Sequence, residues 1–441
     1  MSLRGKIMAG PGAFLRTTFR SLRTRNYRLW FAGQIVSQSG TWMQSVAQYW
    51  LVLQLSHNAL YLGITAALQF LPVLFLGPIG GLVADRFDKR KVLLAAQTAF
   101  TVQALALWIV VANGSVRVWM VWLLALVYGF ITVVDSPSRQ SFVMEMAGPD
   151  DVANAVALNS IIVNASRIVG PALAGVLIAT AGLSWAFLVN AVSFAAVIAA
   201  LYAMDPAELH RRPPLPAAKG QIRAGLRYAW NKWELRVPIL MMAVMGTLAY
   251  NFSVLLPLYA EDVFHRGAGA YSGLTVAMGI GALAAGLLMA AHQRPSHRLL
   301  VNVTLAFGAT ILAVAVAPTL GIGMALLVLM GGASVMFIST ANSLLQLNSS
   351  SAMRGRVMAL WAMVFQGSTP VGALFSGWVA GQFGARVALG VGGIATMLVA
   401  VWAALALRRV QSAHTATDGA ASGDVASAAF DSPSPATSPT R

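Results

Sequence analysis

Twelve mostly apolar stretches recur along the chain, at 27–54, 60–84, 92–112, 118–137, 155–180, 184–204, 237–260, 272–291, 299–317, 320–344, 357–381 and 385–407. A bilayer core of about 30 Å takes about 20 apolar residues of α-helix per crossing, so each stretch predicts one membrane span. The only sizeable hydrophilic interior segment is 205–236, which opens on Asp205-Pro206 and carries Pro213, Pro214 and Pro216, residues that interrupt a helix. The pattern therefore predicts an all-α membrane protein in five parts. These are a basic N-terminus (1–26), a six-helix bundle (27–204), a linker (205–236), a second six-helix bundle (237–407) and a tail (408–441). The tail is rich in Ala, Ser, Thr and Pro, with too few large apolar residues to offset the entropy of ordering, which predicts disorder.

Composition agrees with lipid as the main partner. Of 441 residues, 58% are hydrophobic and 10% charged, against about 25% charged in an ordinary soluble domain. The formal charge of +16 would suit nucleic acid if it were clustered on a soluble surface. Threading the spans places it elsewhere: 26 of the 30 Lys and Arg fall on the side of the two termini, and only Arg117, Arg266 and Arg386 on the other. Basic residues collect in cytoplasmic loops, so the expected topology is a multi-pass protein of the cell (inner or plasma) membrane with both ends in the cytoplasm and no nucleic-acid partner. The last basic residue, Arg167, falls within a span.

A shift of 202 residues superposes Leu158 on Leu360, Gly170 on Gly372, Gly175 on Gly377 and Gly182 on Gly384, six spans apart. With the six-linker-six layout, this predicts two parallel halves around a midplane site.

Two motifs add chemistry. Between spans two and three, residues 80–91 read Gly-Gly-Leu-Val-Ala-Asp-Arg-Phe-Asp-Lys-Arg-Lys. In the fifth span, residues 166–175 read Ser-Arg-Ile-Val-Gly-Pro-Ala-Leu-Ala-Gly, where Pro171 removes a backbone donor and Gly170 and Gly175 permit close helix contact. The first resembles the G-x-L-x-D-R-x-G-R-R/K loop of the major facilitator superfamily, with Asp88 and Val83 departing from the pattern. The second is similar to the G-x-x-x-G-P-x-x-G-G motif of its exporters, with Ser166 and Ala174 in place of glycine. Asn26–Gln34, Gly40–Gln44, Trp50–Leu53, Gln69–Pro72 and Asn154–Asn159 resemble the branch that contains the enterobactin exporter and the transmembrane secretion effectors, and the likeness extends over most of 20–410. The resemblance implies two halves joined by a cytoplasmic latch of Gly81, Asp85, Arg86, Lys89 and Arg90. It also implies export of a small molecule, by proton exchange, from a monomer without metal or other cofactor.

Gln34, Gln38, Thr41, Ser45 and Gln48 recur at intervals of four and three, which lines them on one face of the first span. They either bond neighbouring helices or line a water-filled cavity. Gln34, Gln38 and Thr41 are the leading cavity candidates, with Tyr250, Asn251 and Gln366 from the second half. Arg167 requires a partner at mid-membrane, either an anionic substrate group or a static interhelical bond. Asp135 is either a proton carrier or the mate of Arg139, and no Asp or Glu falls in the middle of a span. Glu261 and Asp262, at the end of the seventh span, belong to an outer gate or are simply solvated. No P-loop and no His, Cys and acid cluster is present, which disfavours an ATP-driven pump and a hydrolytic or redox enzyme. The competing expectations are a small-molecule exporter, an importer of the same topology, and a sensor or scaffold that keeps the fold without transport.

Overall fold

A computed structural model describes residues 19–210, 221–291 and 295–430. Residues 1–18, the prolines 213, 214 and 216, Arg294 and residues 431–441 lie outside that set. The spans are α1 (Arg25–Ser56), α2 (Ala59–Arg86), α3 (Lys89–Ala112), α4 (Val118–Gly148), α5 (Asp151–Thr180) and α6 (Leu183–Ala203) in the first half. A short linker helix, α7 (Gln221–Trp230), precedes the second half. That half holds α8 (Trp233–Leu248), α9 (Phe252–Leu258), α10 (Ala268–Ala291), α11 (His297–Ala315), α12 (Leu320–Asn348), α13 (Ser351–Phe383) and α14 (Ala385–Phe430).

Among the described residues, eleven spans are long and apolar enough to cross a membrane by composition alone, with α8 and α9 together forming one of them. The twelfth is α1. It has the length, but its row of Gln, Ser and Thr dilutes its hydropathy, and it packs inside the bundle against α5 and α6. Large apolar side chains such as Phe75, Leu123, Val192, Leu287, Leu329 and Leu398 stand exposed on the outside of the bundle. That surface suits lipid and not water.

Three boundaries differ from those the sequence predicts. Helix α4 continues past 137 to Gly148, whose φ of 69° ends it, because Glu145 is tied to Lys89 (2.8 Å) and its carbonyl accepts from the His210 amide. The seventh span, predicted as continuous over 237–260, breaks at Ala249–Asn251 between α8 and α9, then closes in a π-helical turn over Tyr259–Val263. The last helix runs to Phe430, beyond the predicted limit at 407, through an alanine-rich stretch of good helix propensity.

The 202-residue repeat has a direct packing meaning. A Cβ on Gly170 would lie 2.5 Å from the Ser39 carbonyl of α1, and one on Gly372 would lie 2.2 Å from the Thr247 carbonyl of α8, the corresponding span of the second half. Gly175 faces Ser272 of α10, and Gly377 faces Ala59 and Leu60 of α2, again equivalent spans. Gly182 and Gly384, at φ 96° and 86°, end α5 and α13 in a conformation that L side chains avoid. The same glycines thus bind each half internally and dock it on the other.

Candidate functional site

The face of the bundle at which α1 begins and the linker helix α7 lies is the proximal face, and the opposite one the distal face. At the distal face the halves are sealed. One continuous hydrophobic core joins Met43–Leu53, Leu62 and Phe187 of the first half to Phe252–Tyr259 and Tyr271 of the second. Trp50 stacks on Tyr271 at 6.4 Å between centroids, and His57 pairs with Glu261 at 3.8 Å. Glu261 therefore does take part in a distal contact, as the gate expectation requires, although the pair is exposed enough on the His57 side to be worth little by itself.

Toward the proximal face the halves separate. The core there, Tyr27, Trp30, Leu93, Phe142, Met146 and Leu201, belongs to the first half alone. An open cavity of about 530 Å³ lies between the halves, walled by α2 (Leu74, Gly77), α4 (Thr132, Ser136, Gln140) and α13 (Arg356, Met363, Gln366). Its wall is largely apolar with a few hydroxyls and amides, as in sites that hold amphipathic ligands.

Of the predicted cavity residues, Gln366 lines this space; Gln34, Gln38, Thr41, Tyr250 and Asn251 do not. The α1 row is not pinned to neighbouring helices at Gln38 or Thr41, however. Gln38 donates to Gln34 one turn back, and Thr41 donates to the Ser37 carbonyl of its own helix. The interhelical amide is instead Gln44, which accepts from Asn190 of α6 at 2.7 Å and donates to Gln103 of α3 at 3.1 Å. Gln103 and Asn190 escaped the sequence reading because single amides in otherwise apolar spans carry no periodic signal. Tyr250 and Asn251 sit at the α8–α9 break, where Tyr250 donates to the Ser334 carbonyl and packs among Phe252, Phe307 and Phe365. The side-chain amide oxygen of Asn251, Oδ1, is buried without a partner.

The 80–91 loop differs from its expected role in two respects. Gly81 has nothing within 4 Å of its would-be Cβ; the close glycine is Gly80, whose Cβ would fall 1.9 Å from the Val133 carbonyl of α4. The consensus position and the contact position are neighbours in sequence, but a step of about 100° around α2 turns one to α4 and the other away from it. Asp85 and Arg86 are exposed and make no hydrogen bond or ion pair with other described residues. Lys89 pairs with Glu145, and Arg90 donates to the Leu201 and Tyr202 carbonyls, so these contacts stay within the first half. With the proximal side open, a latch between halves has nothing to hold.

Asp135 is completely buried, ion-paired to Arg139 and hydrogen-bonded by Gln97 of α3 at 3.0 Å. The pairing with Arg139 is as one sequence alternative had it. Arg167 lies midway along α5 over the face of Trp42, 5.4 Å from the ring centroid. Gly170 beside it packs on α1, and Pro171 is buried. Near the proximal face, α7 docks on α13: Gly225 lies against Arg356, and the Tyr228 hydroxyl meets Ser350. Ser350, and then Lys232, bring the Tyr228 phenol down to about 8.

The family model described as transmembrane secretion effector matches residues 16–432, nearly the whole chain. The chain belongs to the transmembrane secretion effector family. Its members are major facilitator transporters, not enzymes. Within that family's reach, the chain is 26% identical to a staphyloferrin A transporter of Staphylococcus aureus, over 84% of this chain and 94% of that one. It is 25% identical to an enterobactin exporter of Citrobacter koseri, over 89% and 95%. It is 28% identical to a multidrug efflux pump of Mycobacterium tuberculosis, over 83% and 90%. Among solved structures, an inward-facing bacterial homologue of the lysosomal transporter Spinster matches 87% of this chain and 95% of its own, with a TM-score of 0.67 and 13% identity. That likeness establishes the shared fold of two six-helix halves.

Proposed function

We propose that this transporter exports small amphipathic molecules, of the drug, siderophore or secondary-metabolite kind, by alternating access. The observation that carries the reading is the asymmetry of the seam, with a fused distal side and a proximal cavity between the halves. Such a state loads from the proximal face, and rocking of the halves would release to the distal face. The distribution of 26 of 30 basic residues supports a cytoplasmic proximal face, with both termini there. Relatives named as an enterobactin exporter and a multidrug efflux pump support the outward direction. The proximal latch through Asp85 then belongs to the alternate state, in which the 80–91 loop closes on the second half.

Proton exchange supplies the energy in this reading, through Asp135 acting indirectly. Thr132, Ser136 and Gln140 of α4 line the cavity while Asp135 turns to α3. A proton on Asp135 would cancel its pairing with Arg139 and free the helix whose other face touches the substrate. The direct test is accumulation of ethidium, chloramphenicol and a ferric-free catecholate siderophore in cells with and without the protein. Reduced accumulation of at least one compound is expected. Equal accumulation of all three, with the protein confirmed in the membrane, would sink the reading.

A further inference from the structure

Several buried polar atoms of the bundle lack partners, Gln34 Nε2 and Thr340 Oγ1 among them, but a full charge left unpaired there is the informative case. Asp135 has Arg139, and Glu145 has Lys89. Arg167 takes part in no ion pair among the described residues, and its Nε is buried without a hydrogen-bond partner. A charge at this depth costs at least ~2.5 kcal/mol on insertion scales. A static role would be expected to recover that cost through a carboxylate or a set of carbonyls, and none is there.

The surroundings resemble half of a binding site. Trp42 of α1 offers its face to the guanidinium. Tyr250, from the second half, lies close enough for its hydroxyl and the guanidinium to interact electrostatically. It stands at the α8–α9 break, where the unpartnered side-chain oxygen of Asn251 also lies. The α5 backbone is fixed at this level, since Gly279 of α10 sits against the Arg167 carbonyl, with a would-be Cβ at 3.0 Å, and Ser39 of α1 donates to Ser166. The side chain is thus carried on a rigid support at the seam, with its buried Nε uncommitted, the Trp42 face against it and the Tyr250 hydroxyl within electrostatic reach.

We propose that Arg167 is the recognition point for an anionic group on the transported molecule. The substrate class is an amphipathic organic anion: a carboxylate, sulfonate or phenolate carried on a flat apolar body that Trp42 and Tyr250 contact. A guanidinium presents a planar fork that matches a carboxylate in two parallel hydrogen bonds, and an ammonium does not. Because Arg167 and Tyr250 come from different halves, an anion bound between them spans the joint that moves. The inference rests on the export reading above but is tested by binding, which does not require turnover.

The experiment measures calorimetric affinity of the purified full chain in lipid nanodiscs for 2-naphthoate, for its uncharged counterpart 2-naphthamide, and for tetraphenylphosphonium. The wild type is expected to bind naphthoate at least tenfold more tightly than naphthamide. Arg167→Gln should lose at least tenfold for naphthoate and nothing for naphthamide, with Arg167→Lys between them. If Arg167→Gln fails to fold, the naphthoate-to-naphthamide ratio in the wild type and in Arg167→Lys still decides. Equal affinity for acid and amide in the wild type, an unchanged ratio in a folded Arg167 variant, or no binding of naphthoate to folded protein would each overturn the proposal. A preference for anions together with equal cellular accumulation in the efflux panel would instead count against export alone.

Discussion

Gly80→Leu should remove folded protein from the membrane. The α2–α4 crossing brings the Val133 carbonyl to 1.9 Å from where a Cβ on residue 80 would stand, and its carbonyl carbon to 2.7 Å. The obstacle is backbone, so a rotamer change does not relieve it; the two helices must part along a contact that also forms the cavity wall. Overpacking in a core usually costs about 1–3 kcal/mol, and a leucine against a carbonyl at this separation belongs at or above the top of that range. Gly81→Leu is the control. With nothing within 4 Å, it should fold normally and lose transport only if the 80–91 loop closes on the second half in the alternate state. Size-exclusion profiles of detergent extracts distinguish the two, and a Gly80→Leu protein as abundant and monodisperse as the wild type would show that the crossing is not as close as described.

Arg139→Ala should be the most damaging single loss of charge in the first half. It leaves the Asp135 carboxylate fully buried with the Gln97 amide as its remaining donor. Removing one member of a buried ion pair costs about 3–5 kcal/mol, because the other charge stays behind unpaired. Asp135→Asn should be far milder in stability, since Arg139 retains partial exposure and can reach water. The double variant should recover much of what Arg139→Ala loses. Thermal unfolding in detergent would show this order. A double variant no more stable than Arg139→Ala would mean that the carboxylate is not the source of the damage. In vesicles, folded Asp135→Asn should lose the response of efflux to a pH gradient, and unchanged pH-driven efflux would leave the pair a structural strut only.

Much of the architecture could be read from the chain because lipid imposes its own period. Length, charge placement and the 202-residue repeat all describe the same six-plus-six arrangement, and the repeat glycines proved to be contact glycines in equivalent crossings. What could not be read depended on pairing in space. Gln44, Gln103 and Asn190 lie on three helices and form one amide chain, which no spacing within one helix encodes. The break at Ala249–Asn251 interrupts an apolar run without a proline or glycine at the break itself. Gly80 and Gly81 are equally permissive as sequence, and only the neighbouring helix separates them. The first-span polar row illustrates the remaining ambiguity: its periodicity defined a face, but whether that face meets protein or water depends on where the second half sits.

The absence of cysteine makes the moving joint directly testable, since two introduced thiols report on each other alone. A Cβ built on Gly381 of α13 stands 3.7 Å from the Ala59 Cβ of α2, across the sealed distal seam, close to the mean separation of about 3.8 Å in disulfides. Ala59→Cys with Gly381→Cys should therefore cross-link on mild oxidation without moving the backbone. The cross-linked protein should lose efflux of a compound that the wild type extrudes and regain it on reduction, because export requires the distal seam to open. Full efflux from protein shown to be quantitatively cross-linked would contradict alternating access at this seam.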